Sequence, residues 1–444
     1  MSDPDLEQAL LRLLDAPGAS ISGLVRLSGG ASRETWSFDL VDHGERQPLI
    51  LQRTRGGSSG TGIGMVREST LLRAAKTAGV PVPAVHAADD GSVLGHAGMV
   101  VERLEGETIA RKLLRDAEWE IARSRLGAQV GAAMAAVHAI PTDAVDGLVA
   151  SDQVEQYRTV LDSLGEPHPA FELGFRWLEA NRPDPHELRV VHGDLRLGNL
   201  IVGPDGLRAV IDWELAHLGD PMEDLGWFCV RAWRFGSSKP AGGVATREAL
   251  AEAYQAAGGE PVDLEVLRWW ETLGTLKWGV ICIMQAWSHL SGMTSSMEHA
   301  MIGRRVCENE WDVLGLLPGP PLERRVPAEP VPPPILHDRP TAIEVLEAVQ
   351  GWVDDDVRSG TSGRLSFHAR VAVNALKILG RELALEPGLS EAHATRLASL
   401  GCASDADLAS RIRAGDLDDR LEEVRPLVAA SVHDKLLVAN PDWL

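Results

Sequence analysis

At 444 residues the chain exceeds what one hydrophobic core supports, so two or three cores are expected. With 44% hydrophobic and 24% charged residues it reads as a folded globular chain, and a formal net charge of −21 argues against broad electrostatic binding to nucleic acid or to an anionic membrane surface. Cys229, Cys282, Cys307 and Cys402 stand singly, without the spacing of a zinc or redox pair, and read as small core residues of a cytoplasmic protein.

The N-terminus, MSDPDLEQALLRLLDA, is acidic where a secretory signal would be basic, and it reads as a short amphipathic helix. Residues 23–27, 35–41 and 48–52 have the pattern of consecutive antiparallel strands. Ser28-Gly29-Gly30-Ala31-Ser32-Arg33 lies between the first two, and a second Gly/Ser loop runs over 56–64. The spacing predicts a helix over 66–78, stopped by Gly79 with Pro81 just beyond, and then an apolar run over 97–104. From about residue 105 the character turns helical, with an Ala-rich helix over 119–138 and a Trp-rich one over 264–290. Residues 189–227 form an island of strands and tight turns between them. The stretch 318–334, PGPPLERRVPAEPVPPP, is expected to be extended and stiff. Beyond it, 336–444 reads as all-helical, with apolar residues at helical spacing over 342–353 and 367–383. The most apolar later stretch, 279–286, is too short to span a bilayer.

The chemistry concentrates in the island. Val190-Val191-His192-Gly193-Asp194-Leu195-Arg196-Leu197-Gly198-Asn199-Leu200-Ile201-Val202 is an apolar strand, a polar loop and a second apolar strand. Ala209-Val210-Ile211-Asp212-Trp213-Glu214 follows as a buried strand ending in a carboxylate. An Asp, an Asn five positions on and a strand-terminal Asp are what magnesium-dependent phosphoryl transfer requires. One carboxylate accepts the proton of the attacking hydroxyl. An amide oxygen and a second carboxylate hold hard cations that bridge the phosphates.

These blocks, with Ala216-His217-Leu218-Gly219-Asp220-Pro221-Met222-Glu223-Asp224-Leu225-Gly226-Trp227 after them, resemble the aminoglycoside phosphotransferase-like family, relatives of the protein kinases. The resemblance covers about residues 20–315. It implies an α+β, bilobal protein-kinase-like fold with a small antiparallel-sheet N-lobe over 1–103 and a mainly helical C-lobe over 104–317. A Pro-rich linker over 318–335 and an all-α C-terminal domain over 336–444 complete the chain. It implies ATP, with GTP as the alternative, and Mg2+. Asp194 takes the role of catalytic base, His192 orients the loop, Arg196 neutralises phosphate charge or makes a surface salt bridge, and Asn199 and Asp212 are the magnesium ligands. Ser28, Gly29, Gly30 and Ser32 would cover the phosphates. Glu68 resembles the acidic partner of the phosphate-binding lysine, and Val101 and Glu102 lie in the segment whose backbone would meet adenine. Asp220 and Asp224 are expected to cap and anchor the next helix.

The sequence departs from the family at one point. The third strand should end in Lys, as in V-A-I-K kinases, and reads Leu49-Ile50-Leu51-Gln52-Arg53. Simple alternation puts Gln52 in the lysine slot and turns Arg53 to the other face. The expectation is nonetheless that Arg53 (with Arg55 as a substitute) reaches Glu68 and the phosphates.

The details of S-G-G-A-S-R-E-T-W and H-G-D-x-R-x-G-N look nearer to a branch linked to acyl-CoA dehydrogenases, which implies a small-molecule hydroxyl acceptor, hydroxyacyl-CoA first among them. An aminoglycoside or sugar kinase is the alternative acceptor class. A pseudo-kinase scaffold that binds nucleotide without transfer is the alternative function: the missing lysine favours it, and the retained Asp194, Asn199 and Asp212 oppose it. Trp269, Trp270, Trp278 and Trp287 read as core packing or as the lining of an acceptor cleft. The C-terminal part resembles a helical domain of unknown function attached to such phosphotransferases. Arg370 and Asn374, four apart in it, read as a buried polar pair or a binding face.

Overall fold

The computed structural model describes residues 3–27, 33–55, 62–324 and 338–444. The chain divides into two compact units, Met1–Ser151 with Pro183–Glu271, and Asp152–Arg182 with Thr272–Leu444.

The first unit opens with helix α1 (Asp3–Leu13), followed by β1 (Ser20–Leu27), β2 (Arg33–Asp42), β3 (Glu45–Thr54), helix α2 (Met65–Thr77), β4 (Val85–Asp89) and β5 (Gly98–Glu102). The strands form one sheet in the order β1-β2-β3-β5-β4, with antiparallel pairing throughout. Alternation along β3 decides its two faces. Leu49 and Leu51 are fully buried and join Leu6 and Leu10 of α1, Phe38, Leu40 and Val100 in one core. Ile50 points the other way and packs on the core that contains Leu71, Leu72 and Ala75 of α2. Each buried leucine contributes about 1.5–3 kcal/mol.

Two further helices, α3 (Ala110–Arg115) and α4 (Glu120–His138), precede the short strands β6 (Arg189–Val191), β7 (Leu200–Gly203), β8 (Gly206–Val210) and β9 (His217–Gly219). β6 pairs with β9 and β7 with β8, all antiparallel. The small residues of α4 have a packing reason. A Cβ at Gly131 would lie 2.9 Å from the backbone nitrogen of Tyr254 and 3.0 Å from the carbonyl of Leu250, so helix Arg247–Ala256 approaches closely only where α4 has no side chain.

In the second unit, helices Pro169–Ala180 and Val306–Leu316 share a core with Asp405–Ala414 and Leu421–Ala439. Leu173, Trp311, Leu314, Leu408, Ile412, Val428, Val432 and Leu436 meet there, and Leu397 of helix Gly363–Ser399 joins them. Ser404 caps Asp405–Ala414 by accepting from the Asp407 amide at 3.2 Å, and Gly415, at φ 84°, ends it. Arg370 and Asn374 are both exposed, which corrects the buried-pair expectation: the Arg370 guanidinium stacks 5.3 Å over the Phe367 ring. The Trp-rich helix runs over Leu264–Leu290 as expected, with Trp269 buried and Trp287 largely exposed. Residues 325–337 of the Pro-rich stretch lie outside the described residues. Among the described residues no helix is long and apolar enough to cross a membrane.

Candidate active site

β6 delivers the chain into the loop that carries His192, Gly193 and Asp194. Asp224 anchors this loop from helix Met222–Cys229: its carboxylate accepts the backbone N–H of His192 at 2.8 Å and of Gly193 at 2.9 Å. Gly193 has φ 76°, and a Cβ there would sit 2.5 Å from the carbonyl oxygen of Leu215, so the turn admits only glycine. Burial alone would raise the Asp224 pKa, but His138, 3.2 Å away, and the loop amides hold it down at about 2. Asp224 is therefore a permanent anion under the loop. Asp220 acts at the start of the same helix, accepting the Met222 amide at 2.9 Å. The expected capping role thus belongs to Asp220, and Asp224 holds the loop.

His192 is fully buried, and burial pushes its pKa down. Its Nδ1 accepts the Asp194 amide at 3.2 Å, which leaves the proton on Nε2 to be donated to the Ile211 carbonyl at 3.1 Å. Both ring nitrogens are committed, so His192 ties the Asp194 loop to the strand end at Ile211 and has none left to exchange protons with a substrate.

The Asp194 carboxylate is held from three sides. Asn199 Nδ2 donates to Oδ2 at 2.7 Å, Trp227 Nε1 donates to Oδ1 at 2.9 Å, and Arg196 Nε lies 3.1 Å from Oδ1. The Arg196 guanidinium also rests 5.1 Å from the Trp233 ring centroid. Of its two expected roles, Arg196 is thus found in a salt bridge, part-buried and made with the Asp194 carboxylate itself.

Asp212 follows β8 with φ 67°, a left-handed conformation that is uncommon outside glycine and concentrates at functional sites. Burial, then the nearby Glu214 carboxylate, push its pKa up to about 6, with Arg33 pulling the other way. Among the described residues its side chain makes no hydrogen bond. The Asn199 amide nitrogen donates to the Asp194 carbonyl and carboxylate, which turns its oxygen away from them. Asp212 and Asn199 therefore offer hard oxygen donors in a field short of positive charge, and they fit magnesium. Among the described residues no three His, Cys, Asp or Glu side chains gather into a ready-made metal cage.

In the sheet lobe the expected pairing of Arg53 with Glu68 is not what forms. Arg53 lies on the α1 face of the sheet and bonds Glu34, Nε to Oε2, at 3.0 Å. Glu68, 1% exposed on α2, receives Arg33 in a two-pronged contact of 2.9 and 2.7 Å, and Arg33 Nε also reaches Glu214 Oε2 at 3.1 Å. The reason is register. Arg53 pairs across the ladder with Glu34, Thr54 pairs with Arg33, and paired residues share a face. Ser28, Gly29, Gly30 and Ser32 lie outside the described residues. Val101 is buried in β5 between Ile50 and Val85. The Glu102 and Arg103 amides donate to the Ala84 and Pro48 carbonyls, so in this segment adenine would have to find its N–H partner beyond Arg103.

Two residues of this constellation, Arg33 and Trp227, carry no local signal of their contacts, and a third, Asp224, makes a different contact from that expected. Arg33 was visible only as the end of a Gly/Ser loop. Trp227 was visible only as the last residue of a motif. Asp224 was read as a helix anchor.

Known proteins bear on this arrangement. The profile of the phosphotransferase enzyme family matches residues 23–270, and a domain of unknown function, DUF6285, matches 359–443. Acyl-CoA dehydrogenase family member 10 of Mus musculus is 29% identical over 249 residues, 53% of this chain and 22% of the relative. Acyl-CoA dehydrogenase family member 11 of Pongo abelii is 30% identical over 177 residues, 36% of this chain and 22% of the relative. The chain thus spans less than a quarter of the length of either. A solved structure assigned as an aminoglycoside phosphotransferase of Ralstonia eutropha JMP134 is 23% identical, with a TM-score of 0.55 over 70% of this chain and 98% of the other, and shows a common kinase-like fold. With a profile match over more than half its length, running through both the Asp194 loop and the Asp212 turn, the chain belongs to the phosphotransferase enzyme family.

Proposed function

We propose that the chain transfers the terminal phosphoryl group of ATP to a hydroxyl group of a small molecule, with Asp194 as the base. The observation that carries this reading is the Asp194 carboxylate, oriented by Asn199, Trp227 and Arg196 on a loop pinned by Asp224. Asp194 accepts the proton of the acceptor hydroxyl while its oxygen attacks the γ-phosphorus. The bond from that phosphorus to the bridging oxygen breaks, and ADP leaves with the electron pair. Asn199 and Asp212 would hold magnesium, whose chemistry here is to draw charge off the phosphates. The residues themselves contribute mainly by positioning and by fixed charge.

For the acceptor, hydroxyacyl-CoA is the leading class. It is supported by the relatives named as acyl-CoA dehydrogenase family members, each far longer than the stretch that matches. The cytoplasm is the proposed compartment, from the four singly placed cysteines. The scaffold reading draws on Gln52 in the lysine slot.

The test is transfer of labelled phosphate from magnesium-ATP, with GTP as competitor, to hydroxyacyl-CoAs, free hydroxy acids, sugars and aminoglycosides. Asp194→Asn is expected to lower turnover by about 10²- to 10⁴-fold or more while nucleotide still binds. Turnover undiminished in Asp194→Asn removes Asp194 from the role of base. Tight nucleotide binding with no transfer across the panel favours the scaffold.

A further inference from the structure

We propose that Arg33 is the side chain that binds nucleotide phosphate in the sheet lobe, replacing from β2 the lysine that β3 lacks. The proposal rests on the phosphoryl-transfer reading above.

β3 cannot supply the charge. Toward the lysine position its residues on the α2 side are Ile50, Gln52 and Thr54, none of them ionisable, because Leu49, Leu51 and Arg53 face α1; Arg46, on the same alternation, lies at the other end of the strand, 3.5 Å from Asp39. Arg53 is moreover held by Glu34, with Nη2 2.9 Å from Oε2. Across the ladder, Arg33 lies opposite Thr54 and Thr35 opposite Gln52, so Arg33 emerges on the same face as the empty slot. Its guanidinium is brought to the carboxylate that would otherwise hold the lysine: Glu68 takes Nη1 and Nη2 at 2.9 and 2.7 Å.

The group is also preorganised. Arg33 is 9% exposed and is fixed from a second direction by Glu214, with Nε at 3.1 Å and Nη2 at 3.0 Å. A guanidinium has five N–H groups. Three of them make hydrogen bonds to Glu68 and Glu214, Nη2 lies in ion-pair range of Glu214 as well, and among the described residues one N–H of Nη1 is left over. Arginine suits this position better than lysine would, because its planar fork satisfies a bidentate carboxylate and still presents a donor to a phosphate oxygen. Glu214 sits two residues beyond Asp212, so the same guanidinium links the α2 side of the sheet to the strand end that carries Asp212. Arg33 faces three carboxylates, Glu68, Glu214 and Asp212, an excess of negative charge that a nucleotide arriving with a divalent cation would offset.

The experiment measures magnesium-ATP affinity by calorimetry on the full chain, with a thermal melt for each variant. Arg33→Ala is expected to weaken binding about tenfold or more, and Arg53→Ala to leave it within about twofold. Because Arg33→Ala strands a buried carboxylate, the pair Arg33→Met with Glu68→Gln removes both charges together, and it too is expected to lose affinity. Arg33→Ala combined with Gln52→Lys returns a cation to the β3 slot and is expected to recover most of the loss, which a merely structural role for Arg33 would not produce. Wild-type affinity in a folded Arg33 variant, or a loss confined to Arg53→Ala, overturns the assignment. Failure of the wild-type chain to bind any nucleotide instead overturns the phosphoryl-transfer reading on which it rests.

Discussion

Glu68 in the first unit and Glu310 in the second are each 1% exposed, yet their surroundings drive them in opposite directions. Burial would raise the pKa of both. At Glu310 the Lys435 ammonium, 3.1 Å away, and His168, at 2.9 Å, overcome burial and hold the carboxyl down at about 2. At Glu68 burial prevails and the pKa is pushed up, because its one guanidinium is shared with Glu214. The two sites show a buried carboxylate that neighbouring cations fully balance and one that they do not. The first is balanced from within the chain. The second is left short of positive charge at a place where the chain also bends a non-glycine residue, Asp212, into a left-handed turn.

Removing the balance should hurt most where balance is complete. Lys435→Met is expected to cost about 1–3 kcal/mol: it leaves Glu310 buried with only His168, but the Lys435 side chain is 41% exposed and solvent screens part of the pair. Chemical denaturation at neutral pH measures it, and an unchanged midpoint would mean that the pair contributes nothing. The same pair sets an acid limit. With its folded pKa below the ordinary carboxylate value, Glu310 contributes stability that is present above about pH 4.5 and is lost as pH falls toward 2, and the mutant should show a flatter profile there.

The opposite response is expected around Asp212. The Asp212 pKa is raised to about 6, so between about pH 4 and 6 the folded chain keeps a proton that the unfolded chain has released, and stability falls as pH rises through that window. Asp212→Asn removes the charge and suits a left-handed backbone. Measured in EDTA at pH 7.5, it is expected to stabilise the chain by up to about 3 kcal/mol, with no gain below about pH 4, while turnover is lost. A destabilised Asp212→Asn would end the contrast between the two units. The smallest effect belongs to Arg370→Ala, an exposed stacking pair, expected to change stability by less than about 0.5 kcal/mol. A larger loss would show that its face does more than cover Phe367.

Much of the Asp194 loop was legible because its polar side chains are close in the chain. Asn199 immediately precedes β7 and Asp212 closely follows β8, so the β7–β8 hairpin brings them to one end, and Asp194 lies five residues before Asn199 in the same loop. Trp227 reaches Asp194 from 33 residues away, across a turn and a helix, and nothing local announces that contact. Asp224 was misread for a related reason. An acid at the start of a helix caps it in most settings, and only the approach of β6 shows that the amides it accepts belong to another segment.

Arg33 and Arg53 mark the boundary most sharply. Alternation along β3 already turned Arg53 away from Gln52's face, and the order of apolar runs already separated the sheet from the helices that follow. Those features follow from the periodicity of strands and helices, which is local. The identity of the cation that meets Glu68 is a different kind of fact. It depends on how β2 registers against β3, on which face α2 covers and on where the turn after β8 brings Glu214, and these are set by burying apolar surface between segments far apart in the chain.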